Sequence, residues 1–300
     1  MKACHDLFGI PLARCPLCEA ELDIGQGFTV DGTRYAHCQG CGTHVATTLP
    51  KPAEWRAFYR ERYYKIFGAV EGRPERLAMF RSLLQSIPRR PPGRLLDVGC
   101  GAGHLLAIAR VVGWDVSGVD PCGEACEIAR AHYSLEVQPL AVEDANLSAE
   151  SFDVVTLINV LDQVVDPAAL LAAVHRILRR KGLLVVRVPN GAFHQMAWRI
   201  IQHAPLPMVR RLRPLVIFHP FSLNARALHS LLARFGFECI RVDNALICAD
   251  KWSTSRWAST RVVLTGLSHA GHAFASAAAA LTTGRFLCAP SLMAFAERGE

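Results

Sequence analysis

The sequence predicts an α/β protein with a doubly wound, mostly parallel sheet, preceded by a small cysteine-rich module. Three observations carry that prediction. Residues 94–104, R-L-L-D-V-G-C-G-A-G-H, join a short apolar run to an apolar helix through glycines at alternate positions, Gly99, Gly101 and Gly103. From Arg94 to Asn190, strand-like and helix-like stretches alternate through five repeats, the rhythm of parallel β–α units. Ahead of them stand two C-x2-C pairs.

Composition sets the bounds. The chain has 300 residues, 51% of them hydrophobic, which excludes a disordered chain and suffices for one sizeable core plus an accessory module. No apolar stretch long enough for a signal peptide precedes Pro11, and several of the eleven cysteines fall in C-x-x-C pairs or in predicted core elements. A reduced, cytoplasmic protein is expected. The net charge of +7 is concentrated, because Lys51–Arg94 alone holds eleven Lys and Arg against four Glu. That segment is either an electrostatic footprint for nucleic acid, anionic lipid headgroups or a phosphorylated substrate, or a solvated arginine-rich helix face.

Residues 1–50 form the first module. Cys15-Pro-Leu-Cys18 and Cys38-Gln-Gly-Cys41 supply two thiolates from each of two tight turns, the spacing that tetrahedral Zn²⁺ requires. Phe28–Val30 and Arg34–Ala36 flank Asp31-Gly32, so a hairpin joins the knuckles. So few residues bury too little apolar area to fold alone, and the metal would supply the difference. His37 and His44 lie nearby, but four cysteines already fill the shell. Residues 51–93 are a helical connector with Trp55, Phe58, Tyr59, Tyr63 and Phe67 at helical spacing, expected to pack on the α/β core. Residues 87–93, I-P-R-R-P-P-G, break it before the first core strand.

The glycine turn begins the core. Its spacing is D-x-G-x-G-x-G, from Asp97, and a strand-like run, Trp114 to Val119, then ends in Asp120. These residues resemble the class I S-adenosylmethionine-dependent methyltransferases. The resemblance implies a seven-stranded Rossmann-like sheet with an antiparallel last strand. It also implies that Asp97, Gly99, Cys100, Gly101 and Gly103 surround the methionine part of the cofactor, and that Asp120, followed by Pro121, holds the ribose. By the same likeness Glu143 or Asp144 contacts the adenine, and Tyr63, in an E-R-Y-Y segment, covers the methionine end.

Cys122–His132 reads as a helix and Leu135–Gln138 as a short strand. Phe152–Leu161 is a continuous apolar run, the mark of a strand covered on both faces, with Asn159 and Val160 at its carboxyl end, where ligands of open parallel sheets lie. The related methyltransferases continue V-L-E-H-V, whereas this chain has V-L-D-Q-V, so Asp162 keeps an acid and Gln163 removes a proton acceptor. Asp166-Pro167 starts a helix predicted to run from Ala168 to Arg180 and stop at Gly182, and Leu183–Asn190 is the fifth strand.

Residues 191–220 mix apolar residues with Arg199, Arg210, Arg211 and Arg213, and are expected to shape the acceptor pocket or to form a basic amphipathic patch against a membrane. A helix over Leu223–Phe235 and a sixth strand over Cys239–Val242 follow. Val262–Gly284 carries no charged residue, yet only six of its positions are Val, Leu or Phe, so a buried or interfacial helix is expected there. Pro290–Ala296 reads as the closing strand, leaving 94–250 and 284–300 as the core and 251–283 as a helical insertion.

Methyl transfer from a sulfonium is an in-line displacement, so few side chains need react. For a hydroxyl acceptor a base helps, and His194 and His219 are the candidates. The expected activity is methylation of a small molecule, a sugar or glycan, or a lipid-linked intermediate, in the cytoplasm or peripheral to the membrane. The alternative is RNA base methylation, with module and connector gripping the nucleic acid. Residues 1–50 hold three basic and five acidic residues, a poor balance for phosphate contact.

Overall fold

The computed structural model describes residues 8–68, 72–87, 91–203, 213, 216–245, 273–279, 281–282 and 287–300. Five parallel strands form the centre: β6 (Arg94–Val98), β7 (Asp115–Val119), β8 (Glu136–Gln138), β9 (Phe152–Ile158) and β10 (Leu178–Pro189). With β12 (Phe237–Asn244) and β13 (Ser291–Arg298) they make a seven-stranded sheet in the order β12-β13-β10-β9-β6-β7-β8. β13 runs antiparallel to both neighbours, Val185 facing Phe295 on one side and Val242 facing Ala294 on the other. The expected antiparallel last strand is therefore present. Leu96, Leu157 and Leu184, on the three central strands, are fully buried, which is why those strands read as continuous apolar runs.

Two elements end three residues before the sequence expectation, and β10 begins at Leu178, five residues before the expected Leu183. β9 ends at Ile158 because Asn159 turns left-handed, with φ 58°, so Leu161 lies in a turn. The helix after Asp166 is α6 (Pro167–Ile177), capped by the Asp166 carboxylate accepting the Ala169 N–H at 2.9 Å. It stops at Ile177 rather than Arg180. Leu178 pairs with Phe152 and Arg179 bonds Asp153 at 2.5 Å, which draws the chain straight into β10.

The connector is one helical segment, α1 (Pro52–Phe58), a wider turn at Tyr59–Tyr63, and α2 (Tyr64–Phe67), followed by α3 (Pro74–Ser86). Trp55 and Phe58 are buried, as the aromatic spacing implied, while the Phe67 side chain lies outside what is described. α4 (His104–Val111) packs on β7 and against α3, and α5 (Gly123–Tyr133) packs on β8. α7 (Gly191–His203) occupies the start of the irregular stretch after β10. Of the expected insertion, 251–272 lie outside the described residues and 273–279 are helical. No helix among the described residues is long and apolar enough to cross a membrane.

The N-terminal module is a ribbon. β2 (Leu22–Val30), β3 (Thr33–Cys38) and β4 (His44–Ala46) form an antiparallel sheet, with Asp31 and Gly32 both at positive φ in the tight turn that the sequence marked. β1 (Phe8–Pro11) and β5 (Thr48–Pro50) pair beside it. A fourth strand, β11 (Phe221–Ser222), joins the ribbon's edge from far along the chain. The ribbon's Cys15, Leu17, Leu22 and Val45 share one buried cluster with Leu96, Leu157 and Leu184 of the central sheet.

Candidate functional site

Backbone hydrogen bonds shape the bend between β6 and α4. Gly99 N–H donates to Val119 O at 2.8 Å and Gly103 N–H to Cys100 O at 2.9 Å. Gly99, Gly101 and Gly103 have φ of 73°, 51° and 78°, the left-handed region that a side chain strains. At Gly99 a Cβ would also stand 2.5 Å from Val160 Cγ2, so the bend and the turn after β9 touch. Gly103 serves packing, since its Cβ would stand 2.5 Å from Leu135 Cδ1.

Asp120 closes the bend from the next strand. One carboxylate oxygen accepts the Gly101 N–H at 2.8 Å and the other the Cys122 N–H at 2.8 Å, across Pro121. Burial raises the Asp120 pKa, and the Cys122 and Gly101 N–H groups oppose it. Asp97 is buried beside it on β6 and accepts the Thr156 hydroxyl at 2.6 Å. A cleft opens in front, lined by Asp97, Gly99, Cys100, His104 and Ile158 and closed on one side by Arg76 and Phe80 of α3. The Asp97 carboxylate gives this wall one acid, set across from Arg76, and the side-chain-free backbone at Gly99 lets a ligand approach closely.

Other expected residues take varied places. Asn159 Oδ1 accepts from Arg187 Nη1 at 2.6 Å, and Arg187, 5% exposed, also reaches Ser291. Glu143 and Asp144 sit in the exposed loop after β8, with Asp144 4.0 Å from Arg56. Tyr63 stacks on Tyr59 with centroids 4.7 Å apart, and it is Tyr59 whose hydroxyl reaches Gln163 Oε1 at 2.7 Å. Trp55 Nε1 adds a bond to Gln163 O at 2.8 Å, so Gln163 anchors the connector.

The two histidines separate. His194 is 1% exposed, its Nε2 bonded to Pro290 O at 2.9 Å and its Nδ1 accepting the Ile217 N–H at 3.3 Å, so it holds structure and has no free nitrogen for a base role. His219 Nδ1 is hydrogen-bonded to the carboxylate of Asp162, which is 1% exposed, while the histidine side chain itself is 27% exposed. Sequence reasoning missed Arg76 and Phe80, which carry no local motif, and it named Asp162 and His219 separately without their pairing, since they are 57 residues apart.

In the ribbon, Cys15, Cys18, Cys38 and Cys41 bring their Sγ atoms within 4.8 Å of one another, with Cys15–Cys41 at 3.8 Å and Cys18–Cys38 at 3.3 Å. Zn–S bonds of ~2.3 Å in a tetrahedron put sulfurs ~3.8 Å apart, so the thiol set fits Zn²⁺. The Gly42 N–H bonds Cys38 O at 2.8 Å and closes the second knuckle. Hydrogen bonding from Cys15 pulls the Cys41 thiol down to about 4, while burial pushes Cys38 up to about 11.

Residues 70–242 match a methyltransferase domain family. The ubiquinone biosynthesis O-methyltransferase of Cereibacter sphaeroides is 35% identical over 113 residues, 36% of this chain and 46% of that one. The protein of that name from Thiobacillus denitrificans is 38% identical over 95 residues, covering 30% and 41%. The match thus spans less than half the length of these relatives. Among solved structures, a S-adenosylmethionine-dependent methyltransferase of Thermotoga maritima, a possible histamine N-methyltransferase, covers 83% of this chain and 100% of its own at 17% identity and TM-score 0.51. Phosphoethanolamine N-methyltransferase 2 of Haemonchus contortus, in complex with S-adenosyl-L-methionine, covers 91% and 71% at 14% identity and TM-score 0.54. At such identities these two speak for the fold alone, and it is the match over more than half its length, on a sheet of this strand order, by which the chain belongs to the methyltransferase domain family.

Proposed function

We propose that the protein is a S-adenosylmethionine-dependent methyltransferase acting on a small-molecule hydroxyl, carried on a free metabolite, a sugar or a lipid-linked intermediate. The observation that carries the reading is Asp120, whose carboxylate bonds the Gly101 N–H of the glycine bend at the mouth of the cleft that Asp97 lines. S-adenosylmethionine bound there would supply an electrophilic methyl group, and the residues around it would hold sulfur, methyl and acceptor oxygen in line. Asp97 and the backbone at Gly99–Gly103 hold the methionine part, Asp120 the ribose, and Glu143 or Asp144 the adenine. Asn159 and Val160 border the reacting centre, with the Tyr59–Tyr63 stack covering that side. His219, oriented by Asp162, takes the hydroxyl proton on Nε2 and releases it to solvent afterwards. The ribbon cysteines hold a structural Zn²⁺.

The relatives named for ubiquinone biosynthesis support a small acceptor, and the acid-rich ribbon argues against RNA. Titration calorimetry tests the cofactor site: Asp97→Ala and Asp120→Ala should each abolish S-adenosylmethionine binding, and retention by both would refute it. Tight RNA binding at physiological salt, with log K falling steeply against log salt, would instead favour the RNA reading. Exposed Met196 and Ile200 on α7 give a peripheral membrane contact a place, testable by sedimentation with anionic vesicles.

A further inference from the structure

We propose that the four-cysteine ribbon is a positioning element for methyl transfer: through its edge strand and second knuckle it fixes the segment carrying His219 against Asp162. This rests on the assignment of His219 as the base.

Residues 216–222 contribute nothing to the seven-stranded sheet. Apart from the Ile217 N–H on His194, the Val216 N–H on Arg213 O and the bonds to Asp162, the contacts that fix them come from the ribbon. Phe221 pairs with Val45 and Ser222 with His44, and the Ala46 N–H donates to Pro220 O at 2.9 Å. On the other side of His219, Phe218 is 2% exposed and packs on Phe28 and Tyr35 with ring centroids 5.2 and 5.4 Å away. His219 therefore stands between two residues that the ribbon grips. Asn224 extends the link to the metal knuckle: its Oδ1 accepts the Ala227 N–H and caps the helix Ala225–Arg234, while its Nδ2 donates to Gly42 O at 2.7 Å, one residue after Cys41.

Asp162 meets the segment from the catalytic core. Its carboxylate bonds His219 Nδ1, and its backbone carbonyl accepts the Phe221 N–H at 3.3 Å. The second carboxylate oxygen, Oδ1, is buried with no hydrogen-bond partner among the described residues. Burying a carboxylate with half its acceptors empty is costly, and packing alone gives no reason to retain it. A histidine that must present one nitrogen and keep the other bonded gives such a reason. Val160, two residues before Asp162, lies against Gly99, so the turn that carries Asp162 starts at the glycine bend. Since a ribbon this small depends on its metal to hold the knuckles, metal loss would free β4 and Gly42, and with them the His219 segment.

The test uses the full chain carrying zinc, the same protein stripped by a chelator, and the Asn224→Asp variant, which keeps a helix-capping oxygen and loses the donor to Gly42. Four quantities are followed: S-adenosylmethionine affinity by calorimetry, hydrogen exchange over 216–222, the ¹⁵N-labelled His219 ring signal assigned with His219→Gln, and methyl transfer to catechol. Stripping and Asn224→Asp should leave cofactor affinity within about twofold, speed exchange in 216–222, abolish the slowed His219 Nδ1–H signal and cut transfer about tenfold or more, as expected when a general base is misplaced. Asp162→Asn should lose that ring signal with the metal still bound. An unchanged ring signal and exchange rate after stripping would overturn the proposal. So would a collapse of cofactor binding with the metal, which would make the ribbon a prop for the whole fold. Failure of the zinc-loaded wild type to bind S-adenosylmethionine would instead refute the proposed function, and ring signal and exchange would still judge the ribbon.

Discussion

Acidification should loosen the ribbon through His44. This residue is 9% exposed, with Phe28 and His37 at ring-centroid distances of 5.2 and 4.9 Å and Gln195 Nε2 2.8 Å from its own Nε2. Burial, and then the nearby charges of His37 and Arg199, press its pKa down to about 4 from the usual 6.5. The folded protein thus holds a neutral ring where the unfolded chain takes up a proton. Between those two values the unfolded state binds more protons, so this contribution to stability is full above the unfolded value and is lost as pH falls towards the folded one. At about 1.4 kcal/mol per unit, moving from neutral to about pH 5 removes roughly 2 kcal/mol, and the whole shift is worth about 3. The assay is urea unfolding of the wild type and of His44→Gln, which keeps a polar side chain beside Gln195 but does not titrate, each at neutral pH and at about pH 5. Thiols and carboxylates titrate in both proteins, so the difference between their acid losses isolates His44. The wild type should lose roughly 2 kcal/mol more than the variant. Equal losses would refute the reasoning.

Gly99→Ala places a methyl at φ 73° and 2.5 Å from Val160 Cγ2, so left-handed strain of roughly 1–2 kcal/mol adds to a forced shift of the bend. Calorimetry should show S-adenosylmethionine affinity reduced about tenfold or more, and an unchanged affinity would separate the bend from the ligand. Because burial raises the Asp120 pKa, cofactor binding should weaken as pH falls through a window above the ordinary carboxylate range, while the ligand-free protein gains stability there. Asp120→Asn should remove both dependences, and a wild-type affinity that stays flat across that window would contradict the role given to the carboxylate. Tyr59→Phe deletes the hydroxyl bond to Gln163 and should lower stability by about 1 kcal/mol in thermal unfolding, with Tyr59→Leu, which also removes the Tyr63 stack, costing more.

What the sequence disclosed follows from where each signal resides. The central strands were legible because burial on both faces writes an apolar run, and the bend because three glycines at positive φ leave a spaced pattern. Strand ends were less legible. Asn159-Val160-Leu161 continues the apolar run of β9 while its backbone already turns. Arg179, Arg180 and Lys181 suit a helix by propensity, yet the pairing of Leu178 with Phe152 overrides them. Partners distant in sequence left no local trace at all. Trp55 and Gln163 are 108 residues apart, and Asp162 and His219 are 57 apart. The change to V-L-D-Q-V was legible only as an acid kept at Asp162 and a proton acceptor lost at Gln163. Folding gives Asp162 a histidine from another segment, so the substitution and His219 form one arrangement.

The acids of the ribbon make the same point about composition. Five acids against three bases argued only that the module repels phosphate, but the structure pairs two of those acids, at the surface, with arginines of later segments: Asp31 bonds Arg213 at 2.5 Å and Glu19 bonds Arg234 at 2.5 Å. Such partly exposed pairs contribute at most about 1 kcal/mol each and weaken in salt, so they orient the ribbon more than they hold it. The holding force is apolar: Leu17, Val45, Phe218 and Phe221 are all nearly or fully buried where ribbon and core meet. Molar salt should therefore leave the exchange protection of residues 216–222 intact, since hydrophobic burial is not screened. If that protection instead melts with salt, the contacts through Arg213 and Arg234 hold the ribbon, and the apolar account of its docking is wrong.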